Sequence, residues 1–121
     1  MMNSNDITSI LADGQSPDNK IRMSAEQRID HYASTNYGMF LLLCAEELSN
    51  ESKFSRNRQM AATLIKNLIV GMPNFVGKWE LLPAIEKSSI KSLILSTLAS
   101  QDKDIRKAAA LVVAGKKGSI I

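Results

Sequence analysis

The stretch Arg58-Gln59-Met60-Ala61-Ala62-Thr63-Leu64-Ile65-Lys66-Asn67-Leu68-Ile69 decides how this chain folds. Met60, Leu64, Ile65 and Leu68 recur at helical spacing, so the stretch reads as a helix with a buried face. Ala61 and Ala62 carry too little side chain to hold another helix at a distance, and the pattern therefore favours close helix packing. Such a helix belongs either to a closed bundle or to an array of repeated helix pairs, and its periodicity leaves both open. The sequence on either side has to choose.

The chain has 121 residues and is 45% hydrophobic, enough for a real core in one small domain or a few repeats. Only 5% is aromatic, and the apolar residues are mostly Leu, Ile, Ala, Val and Met, which points to an all-α fold. Fifteen Lys and Arg face twelve Asp and Glu, a small excess, and Lys20, Arg22, Arg28, Lys66 and Lys91 are interleaved with acids or neutral residues. That is a solvated surface, not a nucleic-acid stripe, and no nucleic-acid partner is expected. The lone Cys44 excludes an internal disulfide and a cysteine-built zinc site. The N-terminus lacks the pattern of a signal peptide, and the run from Met39 to Ala45 is too short to span a bilayer. A soluble, intracellular chain without membrane insertion is expected.

Working outward, Asp6 can cap a short helix carrying Ile7, Ile10 and Leu11 that Gly14 ends. Ser16-Pro17-Asp18 then supplies a capping hydroxyl, a proline for the first helical position and an acid for the positive end of the dipole. A long helix follows with Ile21, Ala25, Ile29, Tyr32 and Ala33 on one stripe. Residues 37–48, YGMFLLLCAEEL, are apolar over more than one face and need more than one partner. Ser55 can cap the next helix, and Gly71-Met72-Pro73-Asn74 stops it. A long connection anchored by Phe75 and Trp79 leads to Pro83, which opens a helix with Ile90, Leu93, Ile94, Thr97 and Leu98 inward. After the turn at Asp102-Lys103-Asp104, Ile105, Ala108, Ala109, Val112 and Val113 begin a last helix.

The long helices therefore fall near 17–34, 37–49, 56–70, 84–99 and 104–114. Spacings of roughly 40–47 residues between like helices fit an α-solenoid of HEAT-type antiparallel helix pairs, about two and a half repeats. We expect a short N-terminal helix and turn over 1–15, a first repeat over about 16–50, a second over about 55–100, and over 101–121 the start of a third repeat with a truncated tail. A closed four- or five-helix bundle is the rival.

Residues 16–40, SPDNKIRMSAEQRIDHYASTNYGMF, then RQMAATLIKNLI at 58–69, then Lys78-Trp79 ahead of IKSLILSTL at 90–98, resemble the N-terminal HEAT repeats of the importin β (karyopherin β) family. The most specific parts are the SPD helix start, the segment with Ala61, Ala62, Lys66 and Asn67, and the spacing from Trp79 to the following helix. The resemblance implies an importin N-terminal domain over about 26–100, which would bind the small GTPase Ran in its GTP form, and nucleoporins weakly, during nuclear import. It implies shuttling between cytoplasm and nucleus through the pore. Second helices of the repeats would make the Ran contacts, here helices 37–49 and 84–99, with Glu46, Glu47, Lys66, Asn67, Lys87 and Lys91 as candidate contact residues. The tail from Lys116 to Ile121 departs from the family pattern and reads as a truncated product, leaving the last helix unpaired and free to self-associate.

No catalytic or ligand-holding constellation can be assembled. His31 has no second histidine or acid at a metal-binding interval, Cys44 lies on an apolar stripe, and no phosphate loop or Ser-His-Asp set is present. No metal, cofactor or enzymatic activity is expected. The function classes that remain are a transport-receptor segment that binds a GTPase and a structural HEAT scaffold with an unrelated protein partner.

Overall fold

The computed structural model describes residues 2–114. The helices are α1 (Ser4–Asp13), α2 (Asn19–Thr35), α3 (Tyr37–Ser49), α4 (Ser55–Lys66), α5 (Lys78–Leu81), α6 (Ala84–Thr97) and α7 (Lys103–Ala114). A π-helical turn, Asn67–Gly71, extends α4, and a 3-10 turn, Pro73–Phe75, precedes α5. No strand occurs among the described residues. The expected tail beyond Gly115 lies outside them.

The solenoid of antiparallel helix pairs is present, in a pairing register shifted by one helix from the expected one. The hairpins are α1/α2, α3/α4 and α6/α7. Each closes through five residues, 14–18, 50–54 and 98–102, whereas α2 runs into α3 through Asn36 alone and α4 reaches α6 over 67–83. Helix α3 stacks between α1 and α6 in one layer, and α7 lies on α4 in the other. Contact between α4 and α6, the expected second pair, is at most marginal. Nor is α7 unpaired, since it packs on both α6 and α4. The short α1, expected as an N-terminal helix and turn outside the first repeat, is the first helix of a hairpin. Its Ile7, Ile10 and Leu11 are all in the core.

The core follows the apolar stripes. Phe40, Leu41, Cys44 and Leu48 of α3, Ile65 of α4, and Ile90 and Ile94 of α6 are fully buried. Full burial of one such side chain contributes about 1.5–3 kcal/mol, so α3, wrapped by α1, α2, α4 and α6, is the most heavily anchored helix. Ala62 is buried where α7 meets α4, and Ala61 is fully buried in the core. Ile21 and Leu98 depart from the expected facing and stay 43% and 38% exposed, each near a helix end. In the tight turn at 14–18, a Cβ on Gly14 would stand 2.5 Å from Cε of Met60, so the first hairpin lies close on the Met60 side chain of α4.

The helix starts differ in detail from expectation. Asn3, not Asp6, caps α1: its side chain accepts from the Asp6 amide at 3.1 Å while Asp6 accepts from the Asn3 amide at 2.9 Å, a reciprocal capping box. Asp18, not Ser16, caps α2, and Phe54 precedes α4 with no side-chain cap. One device recurs at two starts. Asp18 accepts from the amides of Lys20 and Ile21 while Arg22 donates to the Ser16 carbonyl. Asp102 accepts from Asp104 and Ile105 while Arg106 donates to the Ser100 carbonyl. The matching sequences, SPDNKIR at 16–22 and SQDKDIR at 100–106, make α2 and α7 equivalent second helices of their hairpins.

Candidate partner-binding groove and family

The second helices α4 and α7 leave an open groove of about 360 Å³ between them. Gln59, Thr63 and Lys66 form one wall at helical spacing, Asp104, Lys107 and Leu111 the other, over a floor of Ala62, Ala108 and Val112. The small floor residues keep the groove shallow, and Leu111, 60% exposed, stands at its lip. The ion pairs among the described residues are Arg28–Asp13 and Arg58–Glu51, so neither Lys66 nor Lys107 is neutralised by an acid within reach. An apolar floor with two unpaired cations and one carboxylate suits a protein surface of mixed, mainly acidic character. It holds no catalytic pair, and no group of three metal-ligating side chains occurs among the described residues.

Asn67 closes one end of the groove at the helix's π-turn. The Met72 amide donates to the Asn67 carbonyl at 2.8 Å, one residue wider than α-helical, and the Tyr37 hydroxyl donates to the freed Leu68 carbonyl at 2.8 Å. Gly71 lies beneath the Asn67 side chain, where a Cβ would meet Oδ1 at 3.3 Å. Tyr37 stacks on Phe75 with centroids 5.9 Å apart, and Lys78 Nζ sits 5.2 Å from the Phe75 centroid. Burial pushes the Tyr37 phenol up, with Glu80 adding to it, so the donor stays protonated. The buried Phe75 and Trp79 thus anchor the connection and fix the backbone after Lys66.

The six candidate residues do not form one surface. Lys66 and Asn67 meet in the groove, whereas Lys87 and Lys91 line a separate hollow on the opposite layer, along α6. Glu46 is exposed on α3. Glu47, expected to be an exposed contact, is 3% exposed: its Oε1 accepts from the Thr8 hydroxyl at 2.7 Å, and Lys53 Nζ donates to the same hydroxyl at 3.1 Å. It ties α3 to α1. Helical spacing puts Glu47 one step from Cys44 and Leu48, a position the apolar stripe alone hides. Gln59, Thr63, Asp104 and Lys107 went unread, although the i, i+4, i+7 run 59, 63, 66 opposite the core stripe could have shown one wall.

A polar node missed by the sequence reading lies at the end of the stack where the three hairpin turns gather. Arg58, 2% exposed, donates from Nε to the Leu48 carbonyl at 2.8 Å and from Nη2 to Glu51 at 2.5 Å and Ser100 at 3.3 Å. Glu51 also accepts from the Ser100 hydroxyl at 2.7 Å and the Gln101 amide at 3.1 Å. Neighbouring Asn57 accepts from Gln15 at 2.8 Å, joining the first turn as well. The first turn of α4 therefore sets how the outer hairpins sit, and with them the groove.

The Ser100 hydroxyl, the Gln101 amide and Arg58 hold the Glu51 carboxyl below its usual range. Ser55 and the amides of Ile105 and Asp104 do the same for Asp102. Both groups have depressed values in the folded chain, so their stabilisation is present above the ordinary carboxylate range and is lost as pH falls through the folded values. The urea midpoint should thus hold to about pH 4 and drop below it, and Glu51→Gln should flatten that drop while lowering the plateau. An unchanged acid limb in the variant would remove Glu51 from the account.

A model of the family described as the importin-beta N-terminal domain matches residues 25–100. Importin subunit beta-1 of Schizosaccharomyces pombe is 32% identical over 109 residues, covering 86% of this chain, and that of Arabidopsis thaliana is 30% identical over 118 residues, covering 93%. The chain spans 13% and 14% of the length of those relatives. Among solved structures, importin beta from an ammonium sulfate condition superposes with a TM-score of 0.84 at 34% identity over 90% of this chain and 13% of its own. Kap95p bound to RanGDP gives 0.80 at 28% over 90% of this chain and 14% of that one, and Kap95 in complex with Nup1 gives 0.84 at 27% over 93% and 14%. With a family model spanning most of the chain and the same helical stack in its relatives, the chain belongs to the importin-beta N-terminal domain family.

Proposed function

We propose that this chain is the N-terminal segment of an importin-β-like nuclear import receptor and binds Ran in its GTP form through the layer of second helices, α2, α4 and α7. The observation that carries the reading is the α4–α7 groove, which gathers Lys66 and Asn67 of the family-like segment with Lys107 around an apolar floor. This relocates the contact surface from helices 37–49 and 84–99, because the hairpins pair one helix earlier than the sequence suggested. The role is that of a binding module without catalysis, moving between cytoplasm and nucleus.

Relatives support the reading. Binding of Kap95p is described as inducing the switch loops of RanGDP to adopt the GTP-bound conformation. A surface shaped for that arrangement favours the GTP form, since the GDP form spends part of its binding free energy on rearranging. The solved complex of Kap95 with Nup1 supports nucleoporins as weaker partners. Because this chain spans 14% of that Kap95p chain, it holds only part of such an interface, and its own Ran affinity should be low.

Titration with Ran loaded with GTP and then with GDP should show tighter binding of the GTP form. Lys66→Glu combined with Lys107→Glu should weaken it by at least about tenfold, equivalent to about 1.4 kcal/mol. Equal binding of both nucleotide states, or none at high concentration, would instead favour a structural scaffold with another partner.

A further inference from the structure

The π-helical turn at the end of the groove is held in its wide form by a residue of the other layer. In an uninterrupted α-helix the Met72 amide would donate to the Leu68 carbonyl, four residues back, but here it donates to the Asn67 carbonyl at 2.8 Å. The Leu68 carbonyl is left to the Tyr37 hydroxyl, which donates to it at 2.8 Å in a buried bond. Two carbonyls compete for one amide, and the phenol decides between them. Tyr37 opens α3 directly after Asn36, is 8% exposed, and has its ring fixed by stacking on Phe75. The Asn67 carboxamide lies over the same turn, since a Cβ on Gly71 would meet its Oδ1 at 3.3 Å. It is half-buried, it lines the groove, and it makes no side-chain hydrogen bond among the described residues. A carboxamide with donor and acceptor both unused is matched by the C=O and N–H of a partner's main chain.

We infer that Tyr37 is the positioning residue of the groove and that Asn67 is the group it positions, a carboxamide set to pair with a main-chain amide of the bound GTPase. The inference rests on the groove being the GTPase contact. Without the hydroxyl, the buried Leu68 carbonyl has no donor, an unfavourable state that the Met72 amide relieves by returning to it. The turn then narrows to the α form, Gly71 shifts, and Asn67 leaves its place at the groove's end. Lys66 is the last residue of α4, before the turn, and keeps its position.

Titration of the 121-residue chain with Ran loaded with GTP tests this. Tyr37→Phe and Asn67→Ala should each weaken binding about fivefold, the worth of one neutral hydrogen bond. The double variant should bind no worse than Asn67→Ala alone, which a general loss of structure would not produce, and the salt dependence should stay that of the parent because no charge is removed. Gly71→Ala, which pushes a methyl toward Oδ1 of Asn67 and leaves Tyr37 in place, should weaken binding likewise. In the free chain, the NMR signals of the Met72 amide and the Asn67 side-chain amide should move in Tyr37→Phe while those of α1 stay put, with the circular dichroism spectrum unchanged. Parent-like binding by Tyr37→Phe, losses that add in the double variant, or unmoved signals would each overturn the positioning role and leave the GTPase reading standing. A parent chain that binds neither nucleotide form of Ran would remove that reading and this inference together.

Discussion

Replacing Ile94 by Asp should bring the chain to the edge of unfolding at room temperature. Ile94 is fully buried on α6, in the layer that α6 shares with α3. The change forfeits about 2–3 kcal/mol of apolar burial and adds the cost of a carboxyl with no partner in the core, for a total of about 4–6 kcal/mol. A domain of this size has about 5–15 kcal/mol to lose. Leu64→Asp should cost several kcal/mol as well, though less, since Leu64 keeps 7% of its surface exposed and the charge can reach toward solvent. Lys20→Asp lies exposed in the first turn of α2, where an acid is mildly favourable, and should move the midpoint by less than about 0.5 kcal/mol. Urea melts decide the order, and an Ile94→Asp chain as stable as the parent would mean that α6 does not pack where the structure puts it.

That core was legible in the sequence because apolar residues at helical spacing have one physical meaning wherever they occur. Ile90 and Ile94, Phe40 and Cys44, and Ala61 and Ala62 all face where their periodicity placed them. The pairing of helices was not legible in the same way. A break of one residue at Asn36 looks like the tightest turn in the chain, yet the hairpins close through the five-residue links, and only the contacts of α1 reveal this. The caps were misplaced by a few residues because Ser16, Asp18, Asn3 and Asp6 can all accept from backbone amides, and the geometry that selects among them is three-dimensional.

For the groove, sequence reading found Lys66 and Asn67 by resemblance and missed the opposite wall, since α7 was expected to lack a partner and instead lies beside α4. Periodicity counts only apolar positions, so it passed over Glu47, Asn57 and Arg58, polar residues buried to within 3%. An arginine near a helix start reads as solvated. Only the arrival of the third hairpin's turn covers it.

The covering of Arg58 has a measurable consequence. Arg58→Ala should destabilise the chain by about 3 kcal/mol, since it empties a space between the second and third turns and strips Ser100 and the Leu48 carbonyl of a charged donor. Arg58→Met keeps most of the stem and should cost less, as a well-packed apolar side chain removes the burden of burying a charge along with its bonds. Position matters more than the total. Arg58 holds the third hairpin to the second through Glu51 and Ser100, whereas Asn57 and Gln15 hold the first hairpin independently. Hydrogen exchange in Arg58→Ala should therefore quicken at residues 103–114 well before it does at 25–33, and the double change with Ser100→Ala should cost less than the two single changes added, because the pair is in direct contact. Even loosening along the whole chain, or a loss below about 1 kcal/mol, would show that apolar stacking of α7 on α4 already holds the third hairpin and that the node merely fills the space between turns.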